Sequence, residues 1–185
     1  MDDPAAGLAD WVRAVGRSSG AVVVGHSLGG IVLPLVEARA HVYLCAFVPV
    51  PGRPTREVFR TALDPDFGGT ERDELGRSYW PDPDVAARSL FREHDPTLAR
   101  WAFARLRPQA QTAAEEPFPD VSLTAVSAAY VLARADPAVR PDWSREAARA
   151  ALGVEPLELD GGHFPMLDRP EELADVLERI LEGLP

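Results

Sequence analysis

Short, almost wholly apolar runs alternate along this chain with amphipathic stretches of helical period. That alternation predicts parallel β-strands joined through helices. Residues 5–17 place Leu8, Trp11, Val12 and Val15 on one side of a helix, and Gly20 breaks it. AVVVGH (21–26) is a continuous apolar run, as expected of a strand buried on both faces. LGGIVLPLVEARA (28–40) predicts a helix bent at Pro34, and HVYLCAFV (41–48) a second buried strand. Apolar periodicity returns in SAAYVLARA (127–135), a third strand. A helix over 141–152 follows, with Asp142 as candidate N-cap. EPLELD (155–160) predicts a fourth strand, and 169–184 a terminal helix with Pro170 near its first position.

Between residues 49 and 119 the pattern changes. Pro and Gly become frequent, charges are dense, and only short helices are expected, near 55–63, 84–92 and 96–106. This is too long for a simple connection. The expected organisation is therefore one domain, with a core of 1–48 and 120–185 and a helical cap inserted at 49–119. Its cap aromatics, Phe59, Phe67, Tyr79, Trp80, Phe91, Trp101 and Phe103, either line an apolar pocket or form the cap's own small core. Together the pattern predicts a three-layer α/β fold, with about four parallel strands in chain order and helices on both faces.

Composition narrows the partners. With 185 residues, 46% of them apolar, the chain can bury a real core. A formal net charge of −10 disfavours nucleic acid and anionic membrane surfaces. A small molecule is the expected partner. The single cysteine, Cys45, permits no internal disulfide, and nothing at the N-terminus has the form of a signal peptide, so a cytoplasmic location is expected. No metal-ligand spacing and no phosphate-binding glycine loop occurs, and no cofactor is expected.

The sharpest chemical signal is Gly25-His26-Ser27-Leu28-Gly29, followed by Gly30, at a strand-to-helix junction. That context predicts a nucleophile elbow, in which a strained turn thrusts the Ser27 hydroxyl above the strand end. Gly25 and Gly29 would let neighbouring backbone approach. The Leu28 N–H, at a helix N-terminus, would face a developing oxyanion. A glycine-rich turn with an ordinary N-cap serine is the alternative; the position between AVVVGH and a helix favours the elbow. A serine needs a base. His26 lies inside the elbow and should point away from the hydroxyl, His41 opens a strand, and His94 is in the cap. His163 sits in a glycine-containing loop past the last strand, and is favoured over the reading of it as a surface histidine. For the orienting carboxylate, Asp136 follows the third strand directly. It is preferred to Asp142 (a helix cap), Asp160 (a strand end) and Asp168 (a candidate cap of the terminal helix).

VVVGHSLGG, YLCAFVPVPGR, GRSYWPDPD, RLRPQAQT, YVLARADPAVRP and GGHFPMLDRPEELADVL carry a resemblance to the α/β-hydrolase superfamily. Within it the chain resembles the branch of plant methylesterases, hydroxynitrile lyases and their bacterial relatives, over nearly its whole length. The resemblance implies an α/β-hydrolase fold, a triad of Ser27, His163 and Asp136, and one oxyanion N–H from Leu28. Members of the branch begin with several further strands and an HG-containing loop that supplies a second oxyanion N–H; nothing before Gly25 matches it. The expectation is thus an N-terminally truncated version of the fold with a half-built oxyanion hole. Strand 21–26 would be a bare sheet edge, which a second copy could cover as a homodimer. The implied activity is hydrolysis of a small carboxylic ester through an acyl-serine. A hydroxynitrile-lyase reaction ranks lower, because such lyases need a positive group for cyanide and the cap has no lysine. A catalytically impaired hydrolase is the non-enzymatic alternative.

Overall fold

A computed structural model describes residues 3–16 and 18–184. A four-stranded parallel sheet is built from β1 (Ser18–His26), β2 (Ala38–Leu44), β5 (Ser127–Ala133) and β6 (Leu157–Leu159), in that spatial order. Sheet order follows chain order, as expected. One rung runs His26–Leu44–Val131–Leu157, so the carboxyl ends of the strands lie together. No strand pairs with the outer edge of β1 among the described residues, and Val24 on it is 42% exposed. No helix is long and apolar enough to cross a membrane among those residues.

The central strands β2 and β5 are covered on both faces, which is why they read as continuous apolar runs. Val42, Leu44, Val131 and Ala133 face Leu173, Val176 and Ile180 of helix α8 (Pro170–Glu182). Tyr43, Tyr130 and Leu132 point the other way, onto Leu33, Ala148 and Leu152. On that second face lie helix α6 (Pro141–Ala147) and the π-helical turn Ala148–Leu152 that continues it. Tyr130 also ties β5 to the chain after β2: its hydroxyl donates to the Ala46 carbonyl at 2.5 Å.

Several expected boundaries move. The first helix is α1, Leu8–Val15; Arg17, the last residue of the expected range, lies outside the described residues. The stretch after Ser27 is not an α-helix to residue 40. It is a 3₁₀ helix, Ser27–Leu35, and β2 starts at Ala38. Pro34 has no N–H to extend a helix, and Val36 is already extended (φ −104°, ψ 129°). The second strand stops at Leu44 because Cys45 turns out of it with φ 46°. Asp142 does not cap α6: Arg140 holds that position with Pro141 next, and Asp142 instead accepts from Arg145 at 2.7 Å. Asp168 does not cap α8, whose N-cap is Arg169; its carboxylate lies 3.2 Å from Nδ1 of buried His94.

Between β2 and β5 stand helices α2 (Thr55–Ala62), α3 (Pro83–Leu90), α4 (Pro96–Phe103) and α5 (Thr112–Glu115). Asp82 and Asp95 cap α3 and α4, accepting from the first-turn amides, and each precedes a proline at the first helical position. A two-residue hairpin, β3 (Glu71–Arg72) with β4 (Ser78–Tyr79), was not expected; strands that short leave no periodicity to read. The last helices flank Arg169: α7 (Pro165–Asp168) and α8.

Candidate active site

Ser27 is the first residue past β1 and adopts φ 52°, a left-handed conformation that a non-glycine residue rarely takes. Packing holds it there. A Cβ at Gly25 would meet the Gly29 carbonyl oxygen at 2.8 Å and Leu33 Cδ1 at 2.9 Å. A Cβ at Gly30 would collide with the Phe47 carbonyl oxygen and Ala46 Cβ. The expectation for Gly29 is corrected: nothing lies within 4 Å of a Cβ placed there, so Gly30, not Gly29, is the second close approach. The Phe47 N–H donates to the Ser27 carbonyl (3.1 Å) and pins the segment after β2 against the turn.

Three loops at the carboxyl edge of the sheet then converge. Ser27 Oγ donates to His163 Nε2 at 2.9 Å. His163 Nδ1–H donates to Asp136 Oδ2 at 2.8 Å. The other carboxylate oxygen, Oδ1, accepts from the Ala138 and Val139 amides at 2.8 and 2.9 Å, which fixes the carboxyl plane. His163 and Asp136 are 1% and 6% exposed. In so dry a site the acceptor-only carboxylate requires the proton on Nδ1, and Nε2 is left as an acceptor facing the hydroxyl. Burial, followed by the nearby Asp136 charge, keeps the Cys45 thiol protonated, with its pKa well above the ordinary range. Leu28 follows in the first turn of the 3₁₀ helix, where N–H groups lack intrahelical partners.

The other candidates are elsewhere. Asp160 accepts from Arg134 at 2.6 Å on the surface. His41 is buried within β2, with Nε2 3.0 Å from the Val36 carbonyl. His26 has a partner that sequence reasoning missed: its Nε2–H donates to the His163 carbonyl at 2.7 Å. The elbow thereby holds the backbone of the residue whose ring faces Ser27. No local pattern signals a bond between residues 137 positions apart. Among the described residues no group of three or more His, Cys, Asp or Glu side chains could hold a metal ion.

Desolvation, then the adjacent His163, lowers the His26 pKa from 6.5 to about 4. Burial also lowers those of His41 and His94. A depressed folded-state value means that the unfolded chain binds the proton more readily. The His26 contribution is therefore fully present above pH 6.5 and is lost as pH falls towards about 4. At pH 5 the loss from His26 alone should be about 2 kcal/mol. Urea unfolding should show a lower midpoint at about pH 5 than at about pH 7, and His26→Gln should flatten that dependence. An unchanged slope in the variant would remove His26 as its source.

Ser27 and His163 open into a cavity of about 610 Å³. Its walls are largely apolar, with aromatic Trp11, Phe47, Phe59, Phe67, Trp80 and Phe164 among them. The aromatic residues between 49 and 119 thus divide. Phe59, Phe67 and Trp80 line the cavity, whereas Phe91 packs with Ala86, Leu90 and Ala99 between α3 and α4. Trp101 is half exposed under the Arg105 guanidinium, and Tyr79 donates to Glu71.

Residues 1–176 match the sequence profile of the alpha/beta hydrolase family. A rice protein (Oryza sativa), "Probable esterase PIR7A", is 29% identical over 196 residues, covering 94% of this chain and 74% of its own length. Among solved structures, polyneuridine aldehyde esterase superposes with a TM-score of 0.73 at 18% identity, covering 94% of this chain and 76% of that one. The pyrethroid hydrolase PytH gives a TM-score of 0.68 at 17% identity, covering 97% and 79%. At such identities these two structures speak for the fold.

Proposed function

Since this chain belongs to the alpha/beta hydrolase family, we propose that it is a serine esterase that hydrolyses a small carboxylic ester through an acyl-enzyme, without a cofactor. The observation that carries this reading is the unbroken hydrogen-bonded path from Ser27 Oγ through both ring nitrogens of His163 to buried Asp136. The esterase name of the rice relative supports the same class of reaction.

In the proposed reaction, Ser27 Oγ attacks the ester carbonyl carbon as His163 Nε2 takes its proton. The new imidazolium is stabilised by Asp136, which stays ionised. Negative charge develops on the former carbonyl oxygen, and the Leu28 amide donates to it. The intermediate collapses as His163 returns the proton to the departing alcohol, leaving an acyl-Ser27. A water, deprotonated by His163, attacks that ester; the carboxylic acid leaves and Ser27 regains its hydrogen. Elbow strain and the His26 clasp act before substrate arrives, holding hydroxyl and imidazole within hydrogen-bonding reach.

A fluorophosphonate probe tests the nucleophile. Labelling of the folded protein should map to the peptide that contains Ser27. A folded protein that resists the probe and hydrolyses no p-nitrophenyl ester would overturn the reading.

A further inference from the structure

The cavity beside Ser27 carries one formal charge. Among the described residues Arg107 is the one lining side chain with a permanent charge, and no Asp or Glu borders the cavity, although the protein has 29 acidic residues and a net charge of −10. Arg107 is exposed and has no hydrogen-bond or ion-pair partner among the described residues. It does not stand alone. Arg107, Gln109 and Gln111 all line the cavity, while Ala110 between them is buried, as the two-residue period of an extended chain provides. That segment is held in register: the Gln109 backbone exchanges two hydrogen bonds with Ser78 of β4, at 2.8 and 2.9 Å. Gln111 Nε2 donates to the Gln109 carbonyl at 3.2 Å, and the Gln109 side chain has no partner among the described residues. A fixed ladder of donors with an unpaired guanidinium therefore borders an aromatic chamber that opens onto the Ser27 hydroxyl.

From this we infer a substrate class: an ester with an apolar body that bears a carboxylate away from the scissile bond, bound by Arg107 with help from Gln109. The inference rests on the esterase reading. The guanidinium fork matches the two oxygens of a carboxylate. The aromatic walls take the apolar body, and the absence of lining carboxylates removes local repulsion in an otherwise acidic protein.

Two matched pairs of esters test it, since the charge could lie on either side of the scissile bond. Mono-4-nitrophenyl adipate against 4-nitrophenyl hexanoate places it on the acyl side. 4-Acetoxybenzoate against phenyl acetate places it on the alcohol side. In at least one pair, Arg107→Gln should lower the charged-to-neutral ratio of kcat/KM by about fivefold, the effect expected of a part-exposed charge pair. Arg105→Gln, a change at an arginine engaged with Trp101 outside the cavity, should leave both ratios unaltered. Binding is measured in parallel on Ser27→Ala by the fluorescence of Trp11 and Trp80, the tryptophans that line the cavity. There Arg107→Gln should weaken the charged ester relative to its neutral partner. If neither ratio moves and relative binding is unchanged, the inference fails. If no ester is turned over but the binding difference persists, the esterase reading fails and the carboxylate site stands.

Discussion

Ser27→Ala should lower ester hydrolysis by roughly 10⁶-fold, the scale for removal of a serine that acts as one unit with its histidine. Labelling by a fluorophosphonate should vanish with it. Stability should change little. Alanine meets the same steric cost as serine at φ 52°, and the Gly25 and Gly30 contacts that impose the turn are untouched. The hydroxyl makes one hydrogen bond, to His163 Nε2 at the cavity wall, where water can replace it. Rates of p-nitrophenyl butyrate hydrolysis, read with circular dichroism melts, check both halves. A variant that folds and keeps more than about a hundredth of the parent activity would move the nucleophile elsewhere.

Asp136→Asn should cost about 10⁴-fold in kcat with the fold intact. The asparagine carbonyl can replace Oδ1 and keep accepting from the Ala138 and Val139 amides. Its NH₂ then takes the place of Oδ2, 2.8 Å from His163 Nδ1, and donates there. The imidazole is forced into the opposite tautomer. Nε2 now carries a hydrogen towards Ser27 and cannot act as its base. KM should change far less than kcat, because the lost group does not border the cavity. Asp136→Ala is the harsher change: it also strands two buried N–H donors, at about 1–3 kcal/mol each. It should therefore lower the melting temperature where Asp136→Asn does not. Asp160→Asn should leave activity near the parent's, since Asp160 meets Arg134 on the surface. Similar losses from Asp136→Asn and Asp160→Asn would contradict this assignment of the acid.

Much of the architecture was legible because its determinants are local. HVYL and YVLA are continuous apolar runs because both faces of the sheet are covered at β2 and β5, and burial on two faces leaves no polar alternation to confuse the reading. AVVVGH reads the same way but lies at the sheet edge, where only Gly25 of the run is fully buried, so its expected burial on both faces is corrected. The elbow was legible for the same reason: Gly25 and Gly30 flank Ser27 because a Cβ at either would strike its neighbours. Boundaries were harder where local signals conflict. Residues 28–40 carry helical apolar spacing, but Pro34 and pairing of Ala38 with β1 end the helix early. Asp142 resembled an N-cap, yet Pro141 sets the helix start one residue ahead of it.

From the sequence alone came the layers, the parallel strand order, the strained serine turn and three candidate residues, each at a strand's carboxyl end. Those features depend on residues a few positions apart, whose period and sterics are written directly in the chain. Tertiary structure alone decided that the His163 ring lies between Ser27 and Asp136, that His26 grips its carbonyl, and that Arg107 and Trp11 border one chamber. These partners are separated by 27 to 137 positions. Their meeting is set by how the loops and the helices between β2 and β5 pack over the sheet, a sum of many weak contacts that leaves no short-range pattern.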